Sequence, residues 1–193
     1  MICLSSGAGL GTMRAMFKPG TVPSRPVTAS RLETLLGKFD LVMDLNMPGL
    51  VLEGVEITGN AFYGCNFART DSRKNVVSDC TFELCFFEFS TFSNLTFSNV
   101  KMKNCVFGGS RIRNTTFRGS NVIQCNFNGI QADSLLFDDC DLLHTRIDTS
   151  VLRGTTFDNC NLKQTRFVRT DIQDVVFRYA NQEDAIFNDE GMW

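Results

Sequence analysis

From Leu52 to Phe187, almost every fifth residue is a Phe or a large aliphatic, and the register never slips. Of the 28 positions in that phase, 14 are Phe and 11 are Leu, Ile, Val or Met; only Ser72, Ala132 and Gln182 depart. A period of five matches neither an α-helix nor a flat strand, so the chain has to repeat as a solenoid. Two residues before the large position, here termed the centre, 22 of the 28 side chains are Cys, Ser, Thr, Ala or Val, as in Cys105-Val106-Phe107, Cys125-Asn126-Phe127 and Cys160-Asn161-Leu162. Two residues after the centre, Gly or Asn recurs, as at Gly54, Gly64, Asn104, Gly119, Gly129 and Asn159. Those residues turn a chain cheaply, by accepting positive φ or by bonding their own backbone. The unit therefore reads small and inward, outward, large and inward, outward, turn. Four turns close a square.

This pattern resembles the pentapeptide-repeat family, whose motif is small, Asp or Asn, Leu or Phe, polar, Gly. Asp or Asn precedes the centre at Asn66, Asp71, Asn121, Asn126, Asp141, Asn161, Asp171 and Asn181. The resemblance covers residues 50–189 and implies an all-β fold, a right-handed quadrilateral β-helix. At 20 residues per coil that stretch makes about seven coils, and stacking at ~4.8 Å gives a rod of roughly 34 Å. Steps of twenty place Phe97, Phe117, Phe137 and Phe157 in one core column and Phe67, Phe87, Phe107 and Phe127 in the opposite one. No unit buries its own centre, so stability comes from neighbours.

Seven of the eight cysteines fall on the small inward position. Cys65, Cys85, Cys105 and Cys125 are spaced by twenty and stack, as do Cys140 and Cys160 with Cys80 further down their column. A ladder of parallel thiols gives neither zinc geometry nor a disulfide crossing, so these are expected to be small core residues. Unpaired buried thiols favour a reducing compartment, the bacterial cytoplasm; secretion into a host cell is the alternative. The net charge of −2 argues against a nucleic-acid binder, and no apolar run approaches a membrane span.

Residues 1–29 read as a flexible tail; up to residue 32 they and their neighbours hold Arg14, Lys18, Arg25 and Arg31 and no acid. Ser30-Arg31-Leu32-Glu33 has the form of a capping box. Leu32, Leu35, Leu36 and Phe39 follow at helical spacing, predicting a helix over about 30–39 in an N-terminal cap spanning 30–49. Residues 190–193 are a short tail in which Met192 and Trp193, with Phe187, either plug the far end or meet a second copy. The family resemblance implies homodimerisation through that C-terminal coil as one possibility.

Nothing in the chain looks catalytic. The single histidine, His144, sits on an outward turn, and no nucleophile triad, phosphate loop or metal spacing occurs. We therefore expect no enzyme activity, no cofactor, no metal, and a function that lies on the surface. Leu84, Phe86, Phe89 and Val106 all fall on outward positions around one wall and form the candidate contact site for a protein partner. Arg146 and Arg166 share another outward row. The family resemblance implies an alternative, DNA mimicry toward DNA gyrase or topoisomerase, as in Qnr and MfpA-type relatives. Asp138, Asp141 and Asp158 would carry it, since residues 131–193 hold twelve acids against six bases. Alternation in the rows Arg118, Asp138, Asp158, Arg178 and Arg113, Asp133, Arg153, Gln173 argues against an unbroken negative wall. The Phe- and Cys-rich style also resembles the recognition domain of HECT-like ubiquitin ligases injected by enteric bacteria, implying an effector module.

Overall fold

The computed structural model describes residues 15–16 and 29–187. Short parallel strands of three residues, such as Ala61–Tyr63, Thr81–Glu83 and Lys101–Lys103, pair with the strand twenty residues on. The register is constant: Phe62 stands opposite Phe82, Phe97 opposite Phe117, and Ile112 opposite Ala132. The result is an all-β parallel solenoid of about seven coils with one short helix, Ala29–Leu36, at its N-terminal end. On the wall of Phe67, Phe87 and Phe107 the pairing thins to single bridges, such as Phe86 to Val106 and Val106 to Asn126.

What makes the square is a left-handed residue at every fifth position from Asp44 to Tyr179. Eight of these are glycines and twenty are not. Asn and Asp tolerate that conformation because their short polar side chains bond locally, whereas bulky side chains are strained there.

Inside, aromatic rings stack along two opposite walls. Phe67, Phe87, Phe107 and Phe127 follow at 5.1, 4.8 and 4.4 Å, and Phe97, Phe117, Phe137 and Phe157 at 4.6, 5.0 and 5.3 Å. The columns meet edge to face across the core, as at Phe117 and Phe127, whose planes cross at 88°. The small inward residues serve as rungs: Ser110 Oγ donates to Phe87 O at 2.9 Å and Cys105 Sγ to Phe82 O at 3.4 Å. Seven cysteines, Cys65, Cys80, Cys85, Cys105, Cys125, Cys140 and Cys160, are buried and free.

The departures from the repeat compensate one another. Ala132 leaves space at a centre, and its neighbours Ile130 and Leu135 put large side chains at small positions; all three are buried. Ser72 is matched by Asn75, whose Nδ2 donates to Ser72 Oγ at 2.7 Å and to Leu52 O at 3.0 Å, while its Oδ1 accepts Val55 N–H at 2.7 Å. Gln182 instead ends the pattern, in the 3-10 turn Gln182–Asp184.

Three details differ from the sequence expectations. The repeat begins earlier than residue 50: Val42 and Met47 are buried centres, and Leu41–Met43 pairs with Ala61–Tyr63. The helix starts at Ala29 and ends at Leu36, so Ser30 lies inside it rather than capping it from outside. Ala15–Met16, within the stretch read as a tail, forms a strand pairing with Leu41–Met43. The helix buries Leu32 against the first coils, with Leu35 and Leu36 packed beside it, which closes that end of the core. The rest of the N-terminal tail, and Met192 and Trp193, lie outside the described residues.

Candidate protein-interaction surface

Leu84, Phe86 and Phe89 come from a single coil and span one wall from corner to corner. Leu84 and Phe89 are turn residues, with φ of 55° and 56°. Phe86 lies between them on the wall, one rung from Val106. Phe89 is 66% exposed, Phe86 40% and Leu84 38%. Val106 is only half-buried, so it forms the floor of the patch more than its rim. Tyr63, which the sequence reading passed over, is also exposed, on the adjoining wall one coil earlier. Its outward phase was the signal that marked it.

The surroundings of this patch are low in charge. In the two outward rows of that wall, Asn46, Pro48, Asn66, Ala68, Val106, Gly108, Asn126 and Asn128 are uncharged, and Glu88 is the single ionised group over those coils. Strain adds a second observation. A non-glycine side chain in the left-handed conformation costs about 1–2 kcal/mol, more for bulky residues than for Asn. Leaving most of a large aromatic ring exposed there, as at Phe89, recovers only part of what its full burial would give.

The acids of the alternative surface are occupied. Arg118 Nε donates to Asp138 Oδ2 at 2.9 Å, and Arg178 grips Asp158 through Nε at 3.0 Å and a second guanidinium nitrogen. The Arg178 guanidinium holds the Asp158 carboxyl below the usual carboxylate range. Asp141 Oδ1 accepts Leu143 N–H at 3.0 Å and Asn161 Nδ2 at 2.9 Å. Arg146 and Arg166 are drawn to one carboxylate, the buried Asp148, at 3.3 Å each, so they do not present a free basic clamp. His144 is an exposed corner residue. Among the described residues no group of His, Cys, Asp or Glu has metal-binding geometry, and no helix is long and apolar enough to cross a membrane.

A parallel β-helix that turns through a left-handed residue every fifth position defines the class as the quadrilateral solenoid. The family model for pentapeptide repeats matches residues 90–129 and 150–189 in eight copies, so these two stretches are pentapeptide repeats. Proteins built on this repeat are generally structural or interaction modules. The chain is similar to a trypsin-treated form of QnrB1, a plasmid-mediated fluoroquinolone resistance protein. Identity is 16% over 71% of this chain and 82% of that one, with a TM-score of 0.51. It is also similar to HetL, a pentapeptide repeat protein involved in heterocyst differentiation regulation from the cyanobacterium Nostoc sp. There the identity is 10% over 78% and 92% of the two chains, with a TM-score of 0.27. No curated protein matches this chain in sequence.

Proposed function

We propose that this protein is a non-enzymatic interaction module that docks a protein partner through Leu84, Phe86 and Phe89. The observation that carries the reading is the combination at Phe89: a large aromatic side chain, exposed, and held in a left-handed turn. Gly or Asn at that corner would relieve the strain, so stability does not account for Phe. Interface anchors are typically aromatic side chains set in weakly charged surroundings, which describes this wall.

The test is site-specific photo-crosslinking in the native host. A benzophenone side chain at position 86 is expected to trap one discrete adduct. The same group at Asn126, two rungs along the same row, is expected to trap none. Excess wild-type protein competes, whereas a Phe86→Ser, Phe89→Ser double variant does not. Identical labelling from both positions, or no adduct at all, would sink the proposal.

A second reading, topoisomerase binding through an acidic surface, is supported by the fold shared with a fluoroquinolone resistance protein. The pairing of Asp138 with Arg118 and of Asp158 with Arg178 weighs against it. A supercoiling assay with purified gyrase separates the two. We expect no inhibition and no protection from ciprofloxacin at micromolar protein; either effect, lost on neutralising Asp138, Asp141 and Asp158, would establish the second reading.

A further inference from the structure

On the wall formed by the first halves of strands Arg111–Arg118 and Gln131–Asp138, before both turn a corner at Asn114 and Ser134, six residues line a small open surface cavity of about 60 Å³. Its lining is Arg111, Arg113, Gln131, Ala132, Asp133 and Arg153. The register explains the convergence. Arg111 stands opposite Gln131 and Arg113 opposite Asp133, while Arg153 stands opposite Asp133 on the next coil. Three guanidinium groups from two strands thus border the backbone of a third, at the place where the centre has shrunk to Ala132.

The row Arg113, Asp133, Arg153 should pair if simple attraction between neighbouring rungs decided the matter. On the adjacent wall the same alternation does pair, Arg118 with Asp138 and Arg178 with Asp158. Here, among the described residues, Asp133 makes no ion pair and accepts a bond from Ser134 Oγ at 3.3 Å. Arg153 Nε donates to Gln173 Oε1 at 3.0 Å, and among the described residues its two terminal nitrogens make no hydrogen bond or ion pair. Arg111 and Arg113 line the cavity with their side chains uncommitted among the described residues. Three positive groups and one negative leave a net charge of +2 around a space suited to a small headgroup.

We infer that this cavity binds a phosphate monoester. Planar guanidinium forks match the oxygens of phosphate and carboxylate, and a dianion, rather than a carboxylate, balances a charge of +2. Arg111 lies two residues after Gly109, against which the Phe89 ring lies, so the cavity and the apolar patch flank the same corner of the solenoid. The phosphoryl group has two sources, a small soluble ester or a phosphorylated side chain of a protein.

The experiment is calorimetric titration of the full chain at low ionic strength with inorganic phosphate, with acetate, and with a phosphoserine pentapeptide and its unphosphorylated form. We expect saturable phosphate binding in the millimolar range or tighter, on the order of −4 kcal/mol at a Kd of 1 mM. Acetate, with a single charge, and the unphosphorylated peptide, which lacks the phosphoryl charge altogether, should bind at least about tenfold more weakly. The double variant Arg113→Gln, Arg153→Gln should also lose about tenfold or more while keeping its circular dichroism, and Asp133→Asn should tighten binding. Arg118→Gln, which removes an arginine already paired with Asp138, should leave it unchanged. A peptide that binds more tightly than phosphate identifies the protein-borne source, and equal affinities identify the soluble one. Absence of saturation by about 10 mM, or equal weakening in Arg118→Gln and the double variant, overturns the inference. The latter outcome would mean bulk charge and no site.

Discussion

The ring of Phe89 lies directly on Gly109 of the next coil: a Cβ there would stand 2.7 Å from Phe89 Cδ1 and Cε1. Gly109 is also left-handed, with φ of +69°. Two independent demands thus meet at one glycine. Gly129, one coil further, has the same φ of +70° but nothing nearer to its hypothetical Cβ than a backbone nitrogen at 3.9 Å. We expect Gly129→Ala to cost about 1–2 kcal/mol from backbone strain alone. Gly109→Ala should cost more, and the excess should vanish when Phe89 is already Gly. Urea unfolding of the four single and double variants reads the cycle; equal costs at both glycines would contradict the ring contact.

The same geometry predicts a conflict between stability and binding. Replacing Phe89 or Leu84 by Gly relieves the left-handed strain and is expected to raise stability by about 1 kcal/mol each. Both substitutions should weaken the partner complex, since they remove the exposed apolar groups. A variant that gains in denaturant midpoint while losing the crosslink would mark these as interaction residues. Loss of stability with binding intact would show that they serve the fold.

The architecture was legible because five-residue periodicity is physically restrictive, and Val42 and Met47 carried that phase although the reading began at Leu52. The three departures were visible but not interpretable. That the large Ile130 and Leu135 are buried at small positions on either side of Ala132 makes sense only once side chains two and three residues apart are seen to share one layer of the core. The surface was less legible. Outward phase placed Leu84, Phe86 and Phe89 correctly, yet it treated every Arg–Asp alternation alike. Whether Arg118 pairs with Asp138 while Arg113 leaves Asp133 depends on side-chain torsions, which spacing does not encode.

Within the core, Thr155 stands out as a buried hydroxyl without a hydrogen-bond partner among the described residues. Thr115, two coils earlier in the same column, donates from Oγ1 to Arg113 O at 3.0 Å. Thr155→Val keeps the volume and removes an unpaired polar group, so it should stabilise by about 1–2 kcal/mol. Thr115→Val deletes a made bond along with the group and should be neutral to slightly destabilising. Thermal unfolding of both variants checks the contrast; stabilisation at both sites would mean the hydroxyls are equivalent.

The stacked thiols give the fold a defined weakness toward base. The Cys105 thiol above it, more than burial, pushes Cys85 up to about 12, and Cys125 does the same to Cys105. A thiol whose folded value is raised stays protonated while its unfolded counterpart ionises. The unfolded state then binds fewer protons, so stability is complete below the ordinary thiol range and falls as pH rises from about 8.5–9 toward 12. Each such thiol contributes a slope of at most about 1.4 kcal/mol per pH unit in that window. Urea unfolding at pH 7, 9 and 10.5 should therefore show progressive loss of stability. The double variant Cys85→Ala, Cys105→Ala should be less stable at pH 7 from lost packing, yet show a shallower decline. Native protein at pH 8 should resist alkylation at all seven buried cysteines and become reactive only in denaturant. A pH profile unchanged by the double substitution would place the base sensitivity in other groups.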